Sequence, residues 1–130
     1  MNVSDQFMLA LTAWRENRGG GRTGMQSVMN VILNRVQKRG TCAYMECTRP
    51  LQFSSMTAPH DPQLANWPMV LDPAWQTAQA LAQTAIAGDL PDITDGATNY
   101  YALSIPEPSW AAAMTKTVEI EGQVFFREEA

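Results

Sequence analysis

The chain has 130 residues, of which 45% are hydrophobic and 17% charged, which suffices for one domain around one core and is too apolar for a disordered chain. A formal net charge of −4 and a pI near 4.8 argue against a nucleic-acid binder, which needs a basic face, and against an anionic membrane surface as target. No apolar run is long enough to span a bilayer, and Asp5 stands where a secretory leader carries basic residues, so neither membrane insertion nor a signal peptide is expected.

In chain order, a first helix is predicted over about Ser4 to Glu16. Phe7, Leu11 and Trp14 recur at helical spacing, Met8 and Ala10 widen the stripe, and Ser4 is the candidate N-cap. The stretch Asn17 to Gly21 then ends it, since glycine readily takes the left-handed conformation that closes a helix. A second helix, about Thr23 to Arg39, carries Met25, Val28, Met29, Ile32 and Val36 on one face and stops at Gly40. Asn30 and Asn34, four apart beside that face, are expected to tie the helix to a loop.

Cys42 and Cys47 follow. Without an export signal they are expected to be reduced thiols, and with His60 they lack the ligand spacing of a zinc site, so no metal and no cofactor is predicted. His60 itself reads as an exposed loop residue. From Pro50 to Pro73 five prolines break any long element. A third helix is announced by Asp72 as N-cap and Pro73 at the first helical position; Trp75, Ala78, Ala82, Ala85 and Ile86 form its buried face, and Gly88 closes it. Beyond it, "TDGATNYYALS" reads as a turn or short extended hairpin and "PSWAAAM" as a short helix. "KTVEIEGQVFFR" reads as a β-hairpin turning at Glu121-Gly122. With no repeat or linker in sight, residues 1–130 form a single domain of the α+β class, mostly helical with a small β element.

The succession "WRENRGG", "VMNVILNRV", "QFSS", "DPAWQTAQALAQTAIAG", "GATNYYA", "PSW" and "GQVFFR" resembles the SleB-type (spore-cortex-lytic) cell-wall hydrolases over nearly the entire chain. The resemblance implies a lysozyme-like fold and cleavage of the β-1,4 bond between N-acetylmuramic acid and N-acetylglucosamine in peptidoglycan, by lytic transglycosylation rather than simple hydrolysis. It places the catalytic glutamate on Glu16. The chain departs from the family pattern at Asn17, Gly20 and Gly21 after that glutamate, at Ser55 where an aromatic often follows Q-F-S, and at Asn99 and Tyr101 where two histidines are usual.

The chemistry suits the position. Breaking a glycosidic bond needs a proton for the leaving oxygen, and the negative end of a helix macrodipole disfavours a carboxylate at Glu16. Trp14, Phe53 or Tyr100 can add an apolar wall, while Arg15 or Arg18 opposes the effect if either turns inward. A second carboxylate, which most glycosidases need, has candidates in Glu46, Asp61, Asp72, Asp92 and Asp95, none in a strong motif. A transglycosylase needs only the one acid. Gln52, Phe53 and Ser54 in the loop, and Thr98 and Tyr100 alternating along an extended segment, are the candidate substrate contacts. For Tyr100 and Trp110 a place in the core is the competing reading.

Two rival functions stand beside this one. A zinc amidase would need more histidines than the one present, and a non-catalytic peptidoglycan-binding or phage-particle module would keep the fold without the reaction. The expected partner is the glycan strand of peptidoglycan, met by a monomer. The protein is expected to be made in the cytoplasm, as a phage or prophage endolysin would be, and released to the wall by a holin-type pore.

Overall fold

From Leu9 to Arg15 every residue is buried, and a helix buried on all sides must run through a core rather than along its surface. In the computed structural model, which describes residues 1–129, this helix α1 (Val3–Asn17) packs against α2 (Gly21–Arg39), α3 (Ala43–Thr48) and α5 (Pro73–Ile86). Its cap is Asn2 rather than Ser4. The Asn2 side chain accepts from the Asp5 N–H at 2.9 Å, and Asp5 accepts from the Asn2 N–H at 3.1 Å, a reciprocal box that satisfies two otherwise orphaned donors. The buried Asp5 also accepts from Tyr44 N–H at 2.9 Å, which docks the first turn of α3. Phe7 lies outside the buried stripe: it is 44% exposed, edge-on to Trp75.

The glycine run forms a tight corner between α1 and α2. A 3-10 turn (Arg18–Gly20) leads straight into α2, which begins at Gly21 instead of Thr23. Of Gly19, Gly20 and Gly21, only Gly21 has left-handed backbone, at φ +67°. Gly20 and Gly24 serve differently: a Cβ on either would come within 2.7 Å of the Asn17 side chain, which folds back to accept from Gly20 N–H. At its far end α2 closes on Gly40 in the left-handed conformation. Asn30 and Asn34 tie α2 to the 91–97 segment as expected, through Pro91 O, Ile93 N and Ala97 O.

The proline-rich stretch holds more structure than its composition suggests. It contains α4 (Ser54–Thr57) and a 3-10 turn (Pro62–Ala65) started by Pro62 and capped by Asp61. Helix α5 has the predicted cap, Asp72 accepting from Ala74 N–H at 2.9 Å. Leu81 joins Trp75, Ala78, Ala82 and Ala85 on its buried face, and Ile86 is half-buried at the edge.

Strands β1 (Asn99–Ala102), β2 (Thr115–Ile120) and β3 (Gln123–Arg127) form an antiparallel sheet in the order β1-β3-β2. The β2–β3 hairpin turns at Glu121-Gly122, both with positive φ, as the right-handed twist of paired strands favours. "TNYYA" is therefore one strand recruited by β3, not a local hairpin. One face of the sheet rests on Val31 of α2 through Ala97 and Phe125; the other carries Tyr101, Trp110 and Phe126 packed on one another. Trp110 is thus a packing residue. Among the described residues no helix is long and apolar enough to cross a membrane, both cysteines are free thiols, and no group of His, Cys, Asp and Glu is arranged to take a metal ion.

Candidate active site

Glu16 occupies the last turn of α1, where that helix emerges from the core, and is half-buried. Both its oxygens are held. Ser55 Oγ donates to Oε2 at 2.6 Å and Tyr100 OH donates to Oε1 at 2.5 Å. Ser55 comes from α4 and is itself buried; Tyr100 comes from β1, with its ring against Phe125. Three elements distant in sequence therefore converge on one carboxyl.

Both partners are hydroxyls, and that matters chemically. A hydroxyl can donate to a carboxylate or accept from a carboxylic acid by rotating one O–H bond, so the same cage fits either protonation state. Burial first, then the adjacent Glu16 charge, push the Tyr100 phenol well above the usual tyrosine range. Tyr100 therefore stays a neutral O–H at any working pH.

Neither flanking arginine turns toward the carboxyl. Arg15 is buried and donates to the carbonyls of Asn66, Ser55 and Leu64 at 3.1, 3.2 and 3.3 Å. Arg18 lies over the Trp14 ring and donates to Gln63 Oε1 at 2.9 Å. Trp14 Nε1 donates to Asp72 at 3.1 Å. The three residues around Glu16 thus fasten the 55–72 segment onto the end of α1, and the greasy helix with its basic flanks is explained as an anchor for that segment.

The remaining sequence candidates fall in different places. Phe53 is buried beneath the Arg35 guanidinium, and Gln52 is half-buried just ahead of it. Ser54 is exposed and donates to Asp61 at 2.7 Å; its neighbour Ser55 takes the place beside Glu16. Consecutive residues on a helix point about 100° apart, and only the direction of α4 decides which serine faces inward. Ser55 carried no recognisable signal beyond replacing an aromatic. Thr98 is buried, its carbonyl taking Arg35 Nε at 2.6 Å and its hydroxyl engaged by Asn99. It lines a hollow with Asn34, Gln37, Lys38 and Glu128, separate from the Glu16 cage.

Each acid considered as a second carboxylate has another task. Glu46 is fully buried between Arg39, Arg49 and Thr41. Asp61 caps the 3-10 turn, Asp72 caps α5, Asp92 holds Thr94 and Gly96, and Asp95 pairs with Arg127.

The family described as Cell Wall Hydrolase matches residues 19–126, a span that begins just after Glu16. The catalytic domain of the germination-specific lytic transglycosylase SleB from Bacillus anthracis shares the fold, with a TM-score of 0.76 and 24% identity over 98% of this chain and 97% of that one. The catalytic domain of the Bacillus cereus SleB protein superposes with the same TM-score and identity, covering 98% of this chain and 92% of its own. No match is found among curated proteins.

Proposed function

Because this chain belongs to the cell wall hydrolase family, we propose that it cuts peptidoglycan between N-acetylmuramic acid and N-acetylglucosamine as a lytic transglycosylase, with Glu16 as the single acid and base. The observation that carries this reading is the pair of hydroxyls gripping both oxygens of a half-buried carboxyl at the end of a buried helix. A solvated surface glutamate has no need of such a cage.

The reaction then runs in two proton transfers. Glu16 gives its proton to the glycosidic oxygen as the bond from that oxygen to muramic C1 breaks. The C6 hydroxyl of the same muramic residue attacks C1 and hands its proton to the Glu16 carboxylate. The new C1–O6 bond closes a 1,6-anhydro ring, Glu16 ends protonated as it began, and no water is consumed. The structural employment of Glu46, Asp61, Asp72, Asp92 and Asp95 supports this route over one requiring a second carboxylate to act as nucleophile or to activate water. The similarity to the Bacillus anthracis protein, a lytic transglycosylase, points the same way. Release to the wall through a partner pore, as for an endolysin, belongs to the same proposal.

Mass spectrometry of digested sacculi tests it. Anhydromuramic ends, one water lighter than reducing ends, are expected from the wild type, and none from Glu16→Gln. Reducing ends would replace transglycosylation with hydrolysis, and lysis undiminished in Glu16→Gln would remove Glu16 from the reaction.

A further inference from the structure

The segment beside the proposed site exposes Trp67, Met69, Val70 and Leu71, and of these Trp67 alone presents a flat aromatic ring, backed by a cation. Trp67 is 61% exposed, although its backbone is held on both sides. Ahead of it, Asn66 closes the 3-10 turn with its N–H on Gln63 O at 2.9 Å; after it, Pro68 restricts the backbone of Trp67. One side of the indole faces the Arg15 guanidinium, whose centre lies 4.6 Å from the ring centroid. Arg15 cannot drift, because it is bound to the carbonyls of Asn66, Ser55 and Leu64. The ring is therefore a fixed, hydrated aromatic surface, an arrangement that serves a ligand better than it serves folding.

Its link to the acid is short. The same Arg15 that supports Trp67 donates to the carbonyl of Ser55, and Ser55 Oγ donates to Glu16. Trp67 and Glu16 are thus joined through one arginine and one serine. Resting on the glycan-cutting reading above, we infer that Trp67 is a sugar-stacking platform that receives the apolar face of a pyranose ring of the glycan strand, a few residues along from the bond that Glu16 cleaves. The ring hydrogens of a β-linked hexosamine form a flat apolar face that matches an indole, and the cation behind the ring helps fix its plane. Trp67 is a binding residue; it takes no part in proton transfer.

The test separates binding from cleavage. In a Glu16→Gln background, sacculi are bound without being cut, and adding Trp67→Ala is expected to weaken binding about tenfold, while Trp67→Tyr, which keeps an aromatic face, recovers most of it. In otherwise wild-type protein, Trp67→Ala is expected to raise KM about tenfold on sacculi with kcat within about twofold. The unchanged melting temperature of an exposed-site variant would show that folding is intact. Affinity and KM unaltered by Trp67→Ala, in protein that still releases muropeptides, would overturn the platform and leave the catalytic reading standing. A wild-type protein that releases no muropeptides, yet binds sacculi in a Trp67-dependent way, would overturn the catalytic reading and leave the platform standing.

Discussion

Tyr100 reaches Glu16 from 84 positions away in sequence, and Ser55 from 39, so the carboxyl's orientation depends on the whole domain being folded. Each hydroxyl bonds one oxygen, and removing either frees the carboxyl to rotate. A hydrogen bond to a charged group contributes about 1.5–3 kcal/mol, equivalent to roughly tenfold to a hundredfold in rate if it is felt mainly in the transition state. Tyr100→Phe and Ser55→Ala are each expected to lower kcat on sacculi by that factor with little change in KM. The double variant should lose less than the product of the two, because both act through the same group. Losses confined to KM would make the two hydroxyls substrate contacts instead of holders of Glu16.

At the scale of elements, the corner between α1 and α2 concentrates the strictest local demands. Gly21 combines φ +67° with ψ −157°, a region closed to side-chain-bearing residues, whereas Gly19 has ordinary backbone and open space around its Cβ position. Gly21→Ala is therefore expected to destabilise the protein by about 1–3 kcal/mol, read as a lower urea midpoint, and Gly19→Ala to be close to neutral. Equal effects would mean that the corner relaxes without cost. The three long helices were legible from apolar spacing, and α5 with its cap most fully, because Asp72, Pro73 and Gly88 all act on their immediate neighbours. Short elements were not. The four residues of α4 make barely one turn, so no periodicity can register, and with α4 unseen the inward serine of the Ser54-Ser55 pair was undetermined. Strand β1 is ordered by pairing with β3, whose partner residues lie more than twenty positions away, and Thr98 lines a hollow apart from Glu16, because alternation assigns a face without saying what that face meets. Family resemblance singles out Glu16 as the candidate acid; its cage has no such signal, since nothing local links residues 16, 55 and 100.

Across the whole molecule, acidic side chains act as cross-links between elements, and that sets its response to acid. Asp5 joins α1 to α3, Glu46 joins α3 to Arg39 of α2, and Asp92 joins the segment ahead of the sheet to Asn34 of α2. Burial alone would raise all three carboxyls. It is outweighed by hydrogen bonds: from Tyr44 and Asn2 for Asp5, from Thr41 and Arg49 with both arginine charges for Glu46, and from Thr94, Asn34 and Gly96 for Asp92, so all three lie below the ordinary carboxylate range. A carboxyl whose folded value is depressed binds protons more readily when unfolded. Its stabilisation is thus complete above the unfolded value, near 4 for Asp and Glu, and fades as pH falls through the lower folded value. Stability should accordingly be level from neutrality down to about pH 5 and decline steeply below about pH 4. Glu46 is the most informative of the three, being fully buried against two arginines that are themselves 33% and 39% exposed. Glu46→Gln leaves those arginines free to find water, so its cost at pH 7 is expected near the low end for a broken buried pair, about 2–3 kcal/mol. Below pH 4 the variant has one fewer proton to take up on unfolding, and its stability should fall less steeply, so that the two curves converge. Urea midpoints measured from pH 7 down to pH 3 would show this; parallel curves over that interval would mean that Glu46 does not couple folding to acid.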